Sequence, residues 1–243
     1  MIETPLQRME LLIKKEGLDQ LKAATVMVVG IGGVGSYAAE ALARCGIGTL
    51  ILVDGDTVAI SNLNRQIHAT YDTLGQSKTS VMKERIETYR KDANIVCYDM
   101  FYSAEQNDIL FQQPVDFVVD AIDTMTSKLD LIQYCLSHKI PFISSMGMAN
   151  RMDPTQIEIT ELMKTSYDPV AKIMRTMVRK HHIKGKIPVL FSTEQPMTQS
   201  IIVNEDGVTR KQKMPPASSP FVPSAAGLAA ASYAVRTILK TKG

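Results

Sequence analysis

The segment TVMVVGIGGVGSYAAEALARCG, residues 25–46, decides the fold. It opens with a continuous apolar run, which is typical of a parallel strand buried on both faces of a sheet. Gly30, Gly32 and Gly35 follow with the spacing G-x-G-x-x-G, and an alanine-rich helical stretch then ends at Gly46. A strand, a glycine turn and a helix in this order predict a βαβ unit whose helix N-terminus can receive a phosphate.

Apolar runs and helical patterns alternate through the rest of the first half of the chain. This alternation predicts an α/β fold, namely a Rossmann-like, mostly parallel sheet with helices on both faces. The further predicted strands are 49–54, 94–100, 115–123 and 140–147. The further predicted helices are 5–23, 77–91 and 127–139.

The pattern changes after residue 150, where a C-terminal extension begins. No composition shift marks a linker, so we expect one nucleotide-binding domain over 1–243, with a core of about 8–150 and an extension of about 151–243. In the extension we predict a half-exposed strand over 155–162 and a basic helix over 168–186 that breaks at Gly185. A short strand over 187–196, a long loop over 196–220 and a helix of small residues over 222–240 follow.

The bulk properties exclude several classes of protein. The chain has 243 residues, 45% of them hydrophobic, and a net charge of +2, as in an ordinary globular protein. No apolar run reaches the roughly 18 residues of a membrane span, and the first residues lack a signal-peptide pattern. The three cysteines form no CxxC pair, so a tetracysteine zinc site is not expected. We expect a cytoplasmic protein.

The glycine motif and an acidic residue together predict a nucleotide site. Asp54 ends the second strand, where a carboxylate can hold both hydroxyls of a ribose. This fingerprint usually indicates NAD. A tight strand–helix turn that binds nothing is the alternative.

The segment SNLNRQIH, residues 61–68, favours a triphosphate over a dinucleotide. Asn62, Arg65 and Gln66, followed by Lys78, supply more positive and polar groups than one pyrophosphate requires. ATP does require them. Asp123, at the end of the fourth strand, can hold the Mg²⁺ that accompanies ATP, or it can be a helix N-cap.

The motifs GIGGVGS, LVDGDTV, SNLNRQ, GQSK and DAID occur in order along the chain. In order and spacing they resemble the superfamily of ubiquitin-activating enzymes and their bacterial relatives, which adenylate the C-terminal carboxylate of sulfur-carrier proteins. The resemblance implies a homodimer in which an arginine enters the ATP site of the neighbouring subunit. The roles it implies are ribose binding by Asp54, phosphate binding by Asn62, Arg65 and Lys78, Mg²⁺ binding by Asp123, and insertion into the neighbouring site by Arg8.

The second half of the chain points to one branch of this superfamily. The chain lacks the CxxC pairs and the inserted cysteine domain of other branches, and residues 140–175 with VLFSTEQP resemble the tRNA threonylcarbamoyladenosine dehydratase family. This resemblance implies ATP-dependent dehydration, and hence cyclisation, of threonylcarbamoyladenosine through adenylation of its carboxylate. The carbamoyl group would supply the nucleophile, so no catalytic cysteine is needed. We assign no general base, because a structural or stacking role for His68 is at least as plausible.

A basic stretch in the extension is the candidate tRNA surface. It contains His181 and His182 and no acidic residue, and a second cluster, RKQK, lies at 210–213. A solvated helix face is the alternative, but the resemblance favours tRNA, and not DNA, as the partner. Lys164 and Arg151 are candidates for contact with the modified nucleoside. The candidate phosphate-binding residues are Lys172, Arg175, Arg179, Lys180, Lys184 and Lys186.

Three other functions stay open from the sequence. The chain can be an activator of a ubiquitin-like or sulfur-carrier protein, an NAD-dependent oxidoreductase, or a nucleotide-binding scaffold without catalysis. Sulfur-transfer proteins are further candidate partners. Pyrophosphate release that depends on tRNA separates the dehydratase from all three.

Overall fold

The computed structural model describes residues 3–198 and 216–241, and within them seven strands form one sheet. The strands are β1 (Thr25–Val29), β2 (Thr49–Val53), β3 (Asn94–Tyr98), β4 (Phe117–Asp120), β5 (Phe142–Ser145), β6 (Ile157–Glu161) and β7 (Pro188–Ser192). They are ordered β3-β2-β1-β4-β5-β7-β6. All neighbours pair in parallel except β6 and β7. The predicted mostly parallel α/β fold is therefore confirmed.

Helices cover both faces of this sheet. In the described residues they are α1 (Gln7–Ala23), α2 (Gly35–Cys45), α3 (Lys78–Glu87), α4 (Asn107–Leu110), α5 (Met125–His138), α6 (Pro169–Lys180) and α7 (Phe221–Thr241). Val26 and Val28 of β1 pack with α2 and α7 in one core, whereas Met27 and Val29 pack with α5 and α6 in the other. Successive strand residues thus face opposite layers.

The C-terminal extension is built into the same sheet. Its strand β7 pairs with β5, and its helix α7 lies against α2 at close range. A Cβ atom on Gly227 of α7 would lie only 2.3 Å from the carbonyl oxygen of Val34, so this contact requires glycine. The extension therefore continues the core of the first half.

The first predicted helix is interrupted. Lys14 has φ 62° and ψ 173°, which breaks α1 near its middle. On the N-terminal side of the break, Leu11 and Leu12 are 79% and 78% exposed. Helical periodicity does not encode a single left-handed residue, so the prediction of one continuous helix over 5–23 was wrong at this point.

The predicted basic helix ends earlier than Gly185. The chain leaves α6 after Lys180, His182 adopts φ 52°, and the Ile183 N–H donates to the Val178 carbonyl at 3.0 Å. This turn brings the half-buried Ile183 onto the second core, so an apolar contact ends the helix. In the described part of the chain no helix is both long and apolar enough to cross a bilayer.

Candidate active site

A cleft of about 480 Å³ opens at the carboxyl ends of the parallel strands. The loops that follow β1, β2, β4 and β5 line it. The strand order reverses between β1 and β4, because β2 and β3 lie on one side of β1 and the later strands lie on the other. Ligands of open α/β sheets bind at such a switch point.

The three motif glycines lie at this point and differ in what requires them. Gly30 has φ 89°, and a Cβ there would lie 2.6 Å from the Ala121 carbonyl oxygen. A Cβ on Gly35 would lie 1.7 Å from the Gly30 carbonyl oxygen, so α2 packs on β1 only with glycine there. For Gly32, the nearest atom in the described chain is Gln66 Nε2, at 3.9 Å. The fold thus requires two of the glycines, and the third leaves room for a ligand beside the backbone.

Asp54 is fixed beneath the glycine loop. Its carboxylate accepts the Ile31 N–H at 2.6 Å and the Asp56 N–H at 2.8 Å. Burial raises the pKa of Asp54, while the Lys78 charge and the two N–H donors oppose that increase. The carboxylate oxygens are oriented by backbone groups of two different loops.

Lys78 begins α3 and is only 5% exposed. Its Nζ lies 2.7 Å from Asp56 Oδ2 and 4.0 Å from Asp54 Oδ1. The Asp56 side chain is 54% exposed, so water can replace this contact readily. Lys78 is therefore a cation on the cleft wall whose partner can move away.

Three residues of the segment 61–68, namely Asn62, Arg65 and Gln66, line the cleft. Asn62 is buried and its Oδ1 accepts the Ala59 N–H at 3.0 Å, which fixes the turn before the cleft. Arg65 lines the cleft, and its Nη1 donates to the Ser61 carbonyl at 2.6 Å. Burial lowers the pKa of Arg65 without neutralising it at pH 7. Gln66 also lines the cleft, and its buried Oε1 has no hydrogen-bond partner among the described residues.

His68 lies in the protein interior. It is 2% exposed, and neither ring nitrogen has a partner among the described residues. Burial, followed by the charges of Lys78 and Arg85, lowers the pKa of His68 to about 4. The imidazole is therefore neutral at pH 7, and among the described residues it does not belong to the cleft wall.

This burial predicts a specific pH dependence of stability. The folded pKa of His68, about 4, lies below its ordinary value of 6.5, so the unfolded chain binds the proton more tightly. Stability is therefore fully present above pH 6.5 and is lost as the pH falls toward 4. We expect the free energy of unfolding of the wild type to fall by about 2 kcal/mol more than that of His68→Phe between pH 7 and pH 5. Urea titrations at both pH values measure this, with the exposed His138→Gln as control, and parallel losses in wild type and His68→Phe would contradict it.

Asp123 lies exposed at the mouth of the cleft, after β4. It is not the N-cap of α5, because Thr124 occupies that position and no side chain caps the helix. Within the described residues no three His, Cys, Asp or Glu side chains group around a possible metal position. A single open carboxylate fits Mg²⁺, which proteins usually hold with one or two carboxylates plus substrate phosphates.

The basic residues of the extension do not all have the same environment. Helix α6 buries Ala171, Met174 and Val178. Arg175 is half-buried and donates to the Thr165 carbonyl at 3.1 Å and to the Thr165 hydroxyl, so it anchors the segment before α6. The cluster at 210–213 lies outside the described residues. The exposed cations are Lys172, Arg179, Lys180, Lys184 and Lys186.

Arg151 is buried and has a structural role. It is 2% exposed and donates to the Gly147 carbonyl at 2.5 Å and to the Glu194 carbonyl at 2.9 Å, and it lies 3.5 Å from Asp168. It thus holds the loop after β5 that lines the cleft, and it has no free face for a nucleoside. Lys164, by contrast, is exposed.

Arg8 and Lys128 differ in their position relative to the cleft. Arg8 is exposed on α1 and does not line the cleft within the described chain. Lys128 lines the cleft, is fully buried, and was not singled out from the sequence. The sequence feature that could have indicated its burial is a lysine beside the apolar residues Leu129 and Leu131 of a predicted helix.

The chain is similar to known proteins in family, sequence and structure. The model of the ThiF family matches residues 6–242. The tRNA threonylcarbamoyladenosine dehydratase of Bacillus subtilis is 47% identical over 238 residues, which cover 96% of this chain and 94% of that protein. The crystal structure of the E. coli tRNA N6-threonylcarbamoyladenosine dehydratase in complex with ATP matches with a TM-score of 0.87 and 33% identity, covering 98% of this chain and 95% of that chain. Its complex with AMP matches with a TM-score of 0.87 and 34% identity, over 97% of this chain and 94% of that chain.

Proposed function

Because this chain belongs to the ThiF family and matches its tRNA threonylcarbamoyladenosine dehydratases over nearly its whole length, we propose that it uses ATP to dehydrate threonylcarbamoyladenosine in tRNA. The observation that carries this proposal is the cleft itself. Arg65, Lys78 and Asp123 line it together with the glycine loop, in a chain whose structural relative was solved with ATP. These groups are the ones that a triphosphate requires.

The first step activates a carboxylate, which is otherwise a poor electrophile because its leaving group would be oxide. A carboxylate oxygen of the substrate attacks the α-phosphorus of ATP, and the bond to pyrophosphate breaks. Arg65 and Lys78 bind the phosphates and offset the charge that develops on pyrophosphate. Mg²⁺, held by Asp123, would neutralise further phosphate charge. Asp54 orients the ribose, and Asn62 on the cleft wall joins Arg65 and Lys78 in binding the phosphates, with Gln66 beside them.

The second step closes the ring within the substrate. The carbamoyl group attacks the activated carbonyl carbon and loses a proton, and AMP leaves with the former carboxylate oxygen. The net loss from the nucleoside is one water. Since the nucleophile comes from the substrate, no cysteine is required, and burial raises the pKa of Cys135 to about 12, far from that of a reactive thiol.

The active form is proposed to be a homodimer, with Arg8 completing the ATP site of the partner. Arg8 is exposed beside Leu11 and Leu12, whose side chains are almost fully exposed on the same segment of α1. Adjacent exposed leucines favour burial against another protein surface. A second copy of this chain would bury the leucines and provide the ATP site that Arg8 enters.

Mixing two inactive variants tests the role of Arg8. Arg8→Ala and Lys78→Ala should each be inactive, whereas their mixed dimer should recover some activity, because one of its two sites has both residues intact. Pyrophosphate release after subunit exchange measures this, with mass spectrometry as proof that mixed dimers formed. If mixed dimers form without recovery, Arg8 does not act across the interface.

The extension of about 151–243 is proposed to bind the tRNA. Helix α6 and the turn after it present five exposed cations, and Arg175 holds this segment in place. Clustered cations attract the phosphate backbone without regard to sequence. Lys164 is a candidate contact for the modified nucleoside.

Removal of three of these charges should weaken tRNA binding and leave ATP binding unchanged. In the variant Lys172→Ala, Arg179→Ala, Lys180→Ala, we expect the Kd for tRNA to rise about tenfold or more and the log–log salt slope to fall by about two units. Arg175 stays in place because it anchors Thr165. The matched control removes Lys22, Lys83 and Lys91, which lie on α1, on α3 and just after α3. An unaltered salt slope in the α6 variant would identify an ordinary solvated helix face.

A cytoplasmic location, where the tRNA is found, and sulfur-transfer proteins as auxiliary partners belong to the same proposal. Nucleoside analysis of tRNA from a strain lacking this gene tests the function in the cell. Uncyclised threonylcarbamoyladenosine should accumulate and should be cyclised again when the wild-type gene is restored. An unchanged nucleoside profile would contradict the proposal.

A further inference from the structure

The side chain of Lys128 is a buried cation that the proposed mechanism does not use. It lies in the first turn of α5, is 0% exposed and still contributes to the wall of the cleft. Lysine is almost never fully buried without a charged partner, because its ammonium group loses its hydration. The partners of Lys128 therefore indicate what it does.

The ammonium group joins the ends of two neighbouring strands. Lys128 Nζ lies 2.9 Å from Asp120 Oδ1 on β4 and 3.4 Å from Ser144 Oγ on β5. The Ser144 hydroxyl donates to Asp120 Oδ2 at 2.5 Å. The Asp120 side chain is 2% exposed. Each oxygen of the Asp120 carboxylate thus has a fixed donor, and the carboxylate cannot rotate.

The same carboxylate fixes the backbone that leads to Asp123. Asp120 Oδ1 accepts the Ile122 N–H at 3.0 Å, and the Ala121 N–H donates to the Val29 carbonyl at 2.8 Å. The carbonyl of Ala121 lies against Gly30. The segment 121–123 is therefore held between β1 and the first turn of α5, and Asp123 is its last residue.

Stability alone does not account for a buried ion pair at this position. Its desolvation can exceed the Coulombic gain, and apolar residues of similar volume often serve the fold equally well. The other buried positions of α5, among them Leu129, Leu131 and Ile132, are apolar. A fully satisfied polar network fixes one geometry, which an apolar side chain would not do.

We propose that Lys128 is a positioning residue that acts through Asp120 and Ser144 to keep the Asp123 carboxylate aimed at phosphate-bound Mg²⁺. This inference rests on the proposed function, in which Mg-ATP occupies the cleft. The Lys128 ammonium is held by Asp120 at 2.9 Å and by Ser144 at 3.4 Å. We therefore expect its effect to reach the cleft through the Asp120 carboxylate and to appear in the Mg²⁺-dependent part of ATP binding.

Calorimetry of ATP binding with and without Mg²⁺ tests this. The double variant Asp120→Asn, Lys128→Met removes both charges, so that neither is left unpaired, and Ser144→Ala removes one hydrogen bond but keeps the ion pair. We expect ATP affinity without Mg²⁺ to change by less than about twofold in both variants. The gain in affinity that Mg²⁺ confers should fall about tenfold in the double variant and about threefold in Ser144→Ala, as for other residues that orient a metal ligand. Lys83→Met, which removes a half-exposed ion-paired lysine on α3, should leave that gain unchanged.

A cycle with Asp123→Ala separates positioning from a general structural effect. In the Asp123→Ala background, Ser144→Ala should cause no further loss of the Mg²⁺-dependent gain, because the group it acts on is absent. If Ser144→Ala causes an equal loss in both backgrounds, the proposal is overturned. It is also overturned if Ser144→Ala keeps the full wild-type gain in ATP affinity from Mg²⁺. This second result decides the matter if the double variant does not fold. No effect of Mg²⁺ on wild-type binding would overturn it as well. Because no tRNA is present, failure of the dehydratase proposal would appear separately, as wild-type binding of Mg-ATP without turnover on tRNA.

Discussion

We expect Lys78→Met to lower the kcat of tRNA-dependent pyrophosphate release by about 10³-fold, since it removes a preorganised cation from the proposed phosphate site. Lys78 is 5% exposed and lies on the cleft wall, with Nζ 2.7 Å from the exposed carboxylate of Asp56. We expect Asp56 to turn into water when a phosphate binds, which frees Lys78 to pair with the phosphate. Methionine has a similar length and fills the same space, so the loss reports the charge.

The control for this variant lies on the same helix. Lys83→Met removes a half-exposed lysine that pairs with Glu87, and it should leave kcat unchanged. Urea unfolding of each variant shows whether the fold is retained. A folded Lys78→Met enzyme that keeps more than about one tenth of the wild-type kcat would contradict the assignment of Lys78 to the phosphates.

We expect Asp54→Ala to raise the Kd for both ATP and AMP by about 10²-fold, because two proposed hydrogen bonds from ribose hydroxyls to a carboxylate would be lost. The loss extends to the glycine loop, since the Ile31 N–H now donates to Asp54 at 2.6 Å and would be left without this acceptor. AMP carries the same ribose as ATP. Its affinity must therefore fall in parallel if Asp54 binds the ribose.

The readout that separates ribose binding from loop disorder is discrimination between ATP and 2′-deoxy-ATP. The wild type should bind ATP more tightly, and Asp54→Ala should bind both alike. Asp56→Ala is the matched control, because Asp56 pairs with Lys78 and its loss should not weaken ATP binding. If Asp54→Ala still prefers ATP over its 2′-deoxy form, Asp54 does not bind the ribose.

The parts of the site that could be predicted from the sequence are those in which a local motif has one geometric meaning. The run from β1 through the glycines to α2 predicted a strand–turn–helix unit that can receive a phosphate, and Asp54 followed from its place at the end of β2. Arg65 and Gln66 were expected in the cleft because they follow that strand within one loop. The family resemblance was confirmed by 47% sequence identity to the Bacillus subtilis dehydratase over 96% of the chain.

The features that could not be predicted depend on tertiary contacts. Helical periodicity runs through Lys14, where a residue with positive φ interrupts α1, and past Lys180, where packing of the half-buried Ile183 ends α6. Arg151 and Arg175 read as free cations in the sequence, yet buried carbonyl groups of distant segments bind them. The network around Asp120 joins residues from β4, β5 and α5, so no single motif contains it.

The central claim is that ATP cleavage in this cleft is coupled to dehydration of a tRNA nucleoside. The most direct measurement combines the purified chain, Mg-ATP and tRNA that carries threonylcarbamoyladenosine, and follows both pyrophosphate and the mass of the nucleoside. We expect pyrophosphate release only when this tRNA is present, with a product nucleoside lighter by one water. Pyrophosphate release that requires a small carrier protein ending in Gly-Gly, with the tRNA nucleoside unchanged, would contradict the claim.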